Sequence, residues 1–326
     1  MLKTRVTEMF GIEYPIMSAP MTMHSGGRLA AAVSKAGGIG SFGGIHMNQG
    51  PDWLRAEIDH IRSETDRPFG VGFITNFIPM FEGLFDATIE AKPPIVALSF
   101  GDPRSYIGRA KAAGASVMCQ VQTFEDAQAA VAAGADVLAA QGNEAGGHTG
   151  TMNLLPLLVR VVDAFPDIPV MAAGGISSGR ALAAVLAAGA DGAWVGTALL
   201  PSPEAVEVRD GHKQKVIESN GEDTVFTEIF DKLSGAPWPS GIGGRVWKNR
   251  LVEEWTGRER ELPANREAIA AQYTAGVENY DAEVLDIYMG QSAAAVNAVR
   301  PAADVLRDIC DGAERVLRER SSQLLK

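Results

Sequence analysis

Lys111-Ala112-Ala113-Gly114-Ala115 runs into Val117-Met118-Cys119-Gln120-Val121, and the same sentence returns twice further along the chain. Val131-Ala132-Ala133-Gly134-Ala135-Asp136 precedes Val137-Leu138-Ala139-Ala140, and Leu186-Ala187-Ala188-Gly189-Ala190-Asp191 precedes Ala193-Trp194-Val195. Each copy reads as an alanine-rich helix, a glycine stop and a short apolar strand. Glycine just past a helix end supplies the left-handed cap that lets the chain turn. The strands are continuous apolar runs, as expected where a parallel sheet is buried on both faces. Helix and strand alternating in this way predict an α/β architecture.

Outward from these copies, the patterning predicts strands at 15–19, 39–42, 69–75, 95–100, 117–121, 137–141, 170–173 and 193–196. Helices are expected at 28–36, 53–65, 103–113, 124–133, 154–165 and 180–188, with a weaker one at 81–91. Eight strands by residue 197 fit a closed (β/α)₈ TIM barrel better than an open doubly wound sheet. Beyond Leu200, Pro201 and Pro203 break the pattern, and the chain becomes charged and poor in strand signals. Residues 238–245 read as a loop, and helices resume at 246–255, 266–280 and 302–325. The expected organisation is a barrel over 1–200, a mostly helical cap over 201–300 and a terminal helix over 301–326 packing back on the barrel.

Composition narrows the function. The 326 residues are 46% hydrophobic and 21% charged, which suits a soluble globular chain with room for a barrel of about 250 residues and an appendage. A net charge of -11 argues against a nucleic-acid partner. The two cysteines, Cys119 and Cys310, have no metal-ligand spacing and cannot form a disulfide framework, so no metal and a cytoplasmic location are expected. Residues 1–8 lack the apolar core of a signal peptide. The most apolar long run, 181–200, is broken by Gly189, Asp191, Gly192 and Gly196, so no membrane partner is expected.

Several motifs then ask for chemistry. Gly38-Ile39-Gly40-Ser41-Phe42-Gly43 matches the dinucleotide fingerprint by letter, but a helix precedes it and Pro51 delays the next one. We read its glycines as permitting close approach of a ligand or of backbone. Gln141-Gly142-Asn143-Glu144-Ala145-Gly146-Gly147-His148-Thr149-Gly150 starts where the sixth strand ends, on the face where barrels of this kind place their sites. Its glycines suit backbone amides that approach a flat ligand, and His148, read as lying in a flexible rim loop, is the candidate catalytic residue. Gly174-Gly175 and Gly196-Thr197 close the last two strands, where this fold commonly holds a phosphate on backbone amides. Ala19-Pro20-Met21, Asn76 and Gln120 stand at the ends of other strands, and an amide side chain suits the edge of a flavin ring. Asp136 and Asp191 fall at the opposite ends of the strands and are assigned no catalytic role.

These residues together resemble the nitronate monooxygenase family, formerly called 2-nitropropane dioxygenases. The resemblance spans essentially the whole chain. It rests on Pro15-Ile16-Met17-Ser18-Ala19-Pro20-Met21, Ala36-Gly37-Gly38-Ile39-Gly40, Glu144-Ala145-Gly146-Gly147-His148, Ala172-Ala173-Gly174-Gly175-Ile176, Val195-Gly196-Thr197 and Met289-Gly290-Gln291-Ser292. Flavin-dependent enoyl-ACP reductases and some NAD(P)H:quinone reductases look similar throughout.

The resemblance implies non-covalent FMN, with its phosphate between Gly174-Gly175 and Gly196-Thr197. It sets the ring near Ala19, Pro20, Met21, Asn76, Gln120, Gln141 and Gly146, and places Gln291 on a segment that folds back toward the cofactor. His148 matches the family's catalytic histidine, and amides at Gly146 and Gly147 are expected to stabilise anionic oxygens. The implied reaction is oxidation of an alkyl nitronate by O₂ to a carbonyl compound and nitrite. The alternative is an NAD(P)H-dependent flavin reductase acting on a quinone or an enoyl thioester; a non-catalytic flavin-binding module would lack His148. Expected partners are therefore a small-molecule substrate with O₂ or NAD(P)H, and a homo-oligomer is compatible with this reading. Three alanines after Gln291-Ser292, the loop Gly43-Gly44-Ile45-His46-Met47 and the segment 74–80 depart from the family pattern, and these departures bear on substrate.

Overall fold

The computed structural model describes residues 2–325. The strands in chain order are β1 (Ile16–Ser18), β2 (Gly40–Gly43), β3 (Phe69–Ile74), β4 (Ile95–Ser99), β5 (Ser116–Val121), β6 (Val137–Gln141), β7 (Gly147–Thr149), β8 (Val170–Ala173), β9 (Gly192–Val195), β10 (Thr224–Thr227) and β11 (Gly243–Trp247). The helices are α1 (Arg5–Phe10), α2 (Gly27–Lys35), α3 (Pro51–Glu64), α4 (Glu82–Ala91), α5 (Arg104–Ala112), α6 (Phe124–Ala133), α7 (Leu154–Ala164), α8 (Gly179–Ala187), α9 (Asp210–Glu218), α10 (Ile229–Ser234), α11 (Arg250–Trp255), α12 (Leu262–Asn279) and α13 (Ala302–Leu324).

Eight strands pair in parallel in the order β1-β9-β8-β6-β5-β4-β3-β2. A parallel bridge between Met17 and Ile39 joins the two ends, so the sheet closes into the expected barrel. Residues alternate between two cores. Ile95, Ala97, Val137, Ala139, Met171 and Ala173 face the barrel axis, while Val96, Leu98, Leu138, Ala140, Val170 and Ala172 face the surrounding helices. That double burial is why the strands read as unbroken apolar runs. Helix α1 sends Val6 into the inner core, with Ile12 just beyond it.

The ends of the strands opposite the site are tied by the aspartates that were assigned no chemistry. Asp191 accepts from Arg5 Nε at 2.8 Å and from the Val170 amide at 3.0 Å. Asp136 accepts from Lys111 Nζ at 2.7 Å and from the Val117 amide at 2.8 Å. The fingerprint-like glycines are also structural: a Cβ on Gly40 would stand 1.7 Å from the Ala30 carbonyl oxygen, so only glycine lets β2 lie against α2.

Helix α13 packs against α8 and α2, crossing α8 where Gly179 and Gly312 bring the two backbones together. It thereby occupies the gap in the helical ring between the last and first β/α units. The segment between β9 and α13 forms a cap with its own core of Ile229, Phe230, Leu251, Val252, Trp255 and Ile269. This cap is less purely helical than its sequence suggests. An antiparallel sheet in the order β10-β11-β7 joins it to the barrel, and part of the expected loop at 238–245 is strand β11. Gly243-Gly244 looks like loop locally, and only pairing with residues far away in the chain makes it extended. Among the described residues, no helix is long and apolar enough to cross a membrane.

Candidate active site

The carboxyl ends of the barrel strands surround a cavity of about 200 Å³. Ala19, Pro20 and Met21 reach it from β1, Gln120 from β5 and Gln141 from β6. Gly146, Gly147 and His148 come from the next segment, and Gly174, Gly175, Gly196 and Thr197 from the ends of β8 and β9. Two other expected residues lie outside it. Asn76 is exposed on a short 3₁₀ helix at 75–80, its backbone N–H donating to the Phe100 carbonyl at 3.1 Å. Gln291 is also exposed, although its backbone amide donates to the Glu144 carbonyl at 3.0 Å. Its neighbours Met289 and Ser292 line the cavity instead. The fold-back of this segment therefore takes place, carried by backbone and not by the Gln291 side chain. Gly146 permits it, since a Cβ there would lie 2.5 Å from the Gly290 nitrogen.

One side of the cavity is a glycine cradle. Gly174 and Gly175 hold φ of 107° and 70°, left-handed conformations that favour glycine, and both line the cavity. Trp194 lines the same cavity, and its indole Nε1 is buried with no hydrogen-bond partner. A buried donor without a partner is costly, and an acceptor inside the cavity would satisfy it. An amide chain lies on the other side. Gln122 Nε2 donates to Gln141 Oε1 at 2.9 Å, and Gln141 Nε2 donates to the His148 carbonyl at 3.0 Å. Gln122 was not singled out from the sequence.

His148 does not lie in a flexible loop. It sits on β7, paired opposite Gly244 of β11, with its side chain 14% exposed. The partner strand comes from the cap, so no local pattern announces it. Arg245 secures the junction, donating from Nε to the Asn143 carbonyl at 2.7 Å and from Nη2 to Asn143 Oδ1 at 2.6 Å. The His148 Nε2 stands 2.8 Å from Asp231 Oδ1 on α10. A carboxylate only accepts, so Nε2 carries the proton of this bond and Nδ1 is the lone-pair nitrogen of the neutral ring. Trp238 stacks on the imidazole with centroids 3.6 Å apart and planes 12° apart.

Behind His148 lies a second polar group. Asp286 accepts from the Tyr273 hydroxyl at 2.7 Å and also bonds Tyr288. Burial pushes the Asp286 carboxyl above the usual range, and burial also raises the Tyr288 phenol well above its own. His212 bonds the Tyr288 carbonyl at 2.8 Å, and burial lowers its pKa to about 4. Asp231, Trp238, Tyr288 and Arg245 all belong to the cap, and none carried a motif in the sequence.

The family model described as nitronate monooxygenase matches residues 3–80 and 78–312. A probable nitronate monooxygenase of Staphylococcus aureus strain Newman is 29% identical over 369 aligned residues, covering 97% of this chain and 98% of the relative. The structure of FabK from Thermotoga maritima is similar with a TM-score of 0.88 and 33% identity, covering 99% of this chain and 100% of that one. A nitroalkane oxidase from Streptomyces ansochromogenes is similar with a TM-score of 0.82 and 30% identity, covering 97% and 99%.

Proposed function

Because the chain belongs to the nitronate monooxygenase family, we propose that it is an FMN-dependent oxidoreductase converting alkyl nitronates and O₂ to a carbonyl compound and nitrite. The observation that carries this reading is a partly buried histidine-carboxylate pair, His148 and Asp231, at the edge of a glycine-lined cavity.

The residues present fit a flavin mononucleotide. Gly174, Gly175, Gly196 and Thr197 would hold the phosphate, since backbone amides accept an anion without a lysine. Ala19, Pro20, Met21, Gln120, Gln141 and Gly146 would border the ring, and Trp194 Nε1 offers an unused donor. Bound FMN would supply electron transfer between a carbanionic substrate and O₂.

His148 would take the proton from the carbon beside the nitro group, with Asp231 holding the ring's orientation and stabilising the imidazolium that forms. Amides at Gly146 and Gly147 would stabilise the developing charge on the nitro oxygens. Tyr288 closes the site beside His148, with ring centroids 5.6 Å apart. The second reading is NAD(P)H-dependent reduction of a quinone or an enoyl thioester. It is favoured by a chamber of about 920 Å³ outside the cavity, which has room for more than a small nitronate. Anaerobic mixing with NADH or NADPH separates the two, because rapid bleaching of the flavin supports the reductase.

The test of the primary reading is His148→Asn. Turnover of neutral nitroalkane should fall about 10²- to 10⁴-fold, the usual worth of a general base. Turnover of preformed nitronate should fall much less, since its proton is already gone. Equal losses on both forms would make His148 a binding group, and no loss on either would overturn its role.

A further inference from the structure

The cavity that holds the glycine cradle does not end at His148. Thr22, His24, Ile74, His148, Trp238 and Tyr288 line both it and the larger chamber beyond. These six residues rim the doorway between the two, with the stacked rings of Trp238 and His148 on one side of it. A ligand pocket typically occupies about 300–1,000 Å³, so the outer chamber is at the upper end of that range on its own. Its walls are mixed: Met47, Trp53 and Phe77 from the barrel side and Phe230, Leu233 and Val277 from the cap give it an apolar part, with His46, Glu207, Arg209 and Thr274 among the other lining residues.

Two of those walls come from barrel loops, the one holding Met47 after β2 and the stretch 74–80 holding Phe77 after β3. Trp238 is fixed by more than His148. Its ring meets Phe77 edge-on at 4.9 Å and Phe100 edge-on at 5.3 Å. Phe100 holds φ of 59°, a left-handed conformation that a bulky residue rarely adopts, and lines the inner cavity. Pro237 and Pro239 flank the tryptophan and restrict the backbone that presents it.

From this we infer that the outer chamber seats a medium-chain alkyl or aromatic body of the substrate, and that Trp238 is the partition selecting its shape. The inference rests on the reading of His148 as the group that meets the reactive end. A planar polar head would pass the doorway into the inner cavity while the apolar body stays outside, against Phe77, Phe230 and Val277. Arg209, at the chamber's edge, is already engaged with the Val277 carbonyl at 3.0 Å and lies over the Tyr280 ring, so the body needs no anionic group of its own. Trp238 is a specificity-determining residue in this account: it narrows the doorway to bodies that are slim next to the head.

The test uses calorimetric titration of the flavin-loaded protein with straight-chain primary carboxamides, inert compounds with a planar polar head. Affinity should rise roughly three- to fourfold per methylene along the series, as for burial of hydrocarbon. Val277 is 37% exposed on α12, so Val277→Asp should fold and should flatten that dependence. Trp238→Ala should bind amides branched next to the head at least tenfold better relative to linear ones, without losing the chain-length dependence. An affinity independent of chain length, or a dependence that Val277→Asp leaves intact, overturns the inference. Unchanged discrimination in Trp238→Ala removes the role of the partition. Chain-length-dependent binding without turnover of any nitro compound would sink the nitronate reading and leave this one standing. Turnover of short nitroalkanes through His148, with no dependence on length, would do the reverse.

Discussion

His148 Nε2 lies 2.8 Å from Asp231 Oδ1, and the two residues belong to different parts of the molecule. His148 extends from the barrel on β7, whereas Asp231 sits in the first turn of α10 within the cap. The His148 ring is thus oriented by contacts that the docked cap supplies. Its ring is clamped at the same time by Trp238 on one face, so tautomer and orientation are both set by the cap.

Asp231→Asn tests that dependence. The amide can no longer stabilise an imidazolium, and it can donate to Nε2 and so reverse the tautomer. Proton abstraction from neutral nitroalkane should slow by about 10²- to 10⁴-fold, with preformed nitronate affected far less. Steady-state rates on the two substrate forms measure this. A variant as fast as the parent on neutral nitroalkane would show that the carboxylate is dispensable.

Gly196→Asp tests the cradle. A Cβ at this position meets Ala19 Cβ and Met21 Sδ at 3.3 Å, so small shifts accommodate it and the barrel should still fold. The carboxylate would face an arriving phosphate at short range and repel it. The variant is expected to be folded by circular dichroism and colourless, and the parent is expected to be yellow and to release FMN on heating. Full flavin content in the variant would place the phosphate elsewhere.

Acid stability tests the packing of cap on barrel. His212 is 4% exposed and its pKa falls from 6.5 to about 4, chiefly through burial and further through neighbouring His24. The unfolded chain takes up this proton at a higher pH than the folded one. His212 therefore supports the fold fully above pH 6.5, and its contribution is lost as pH falls toward 4. The shift corresponds to about 3 kcal/mol. Urea unfolding between these pH values should show that slope, and His212→Gln, which keeps a donor for the Tyr288 carbonyl, should reduce it. An identical slope in the variant would assign the acid sensitivity to other groups.

The barrel was legible because its information is local. A helix, its glycine stop and the strand that follows are neighbours in sequence, and apolar runs report burial on two faces directly. Glycine placement was legible for the same reason: Gly146, Gly174, Gly175 and Gly196 recur at the ends of strands, and the structure gathers them with His148 around one cavity. Asn76 is named by its position at the end of β3 and Gln291 by the family resemblance, but both residues are exposed and lie outside the cavity. The direction of a side chain at the end of a strand depends on what packs over it.

Sequence by itself thus determined the eight-stranded barrel and the end of it at which the glycines and His148 gather. Tertiary structure alone decided what that histidine touches. Strand β11 forms because β7 and β10 lie beside it, and Asp231, Trp238 and Tyr288 reach the barrel mouth because the cap's own core fixes their helices and loops. Such contacts join residues many tens of positions apart, and neither propensity nor periodicity, which act over a few residues, encodes which distant surface a segment will meet.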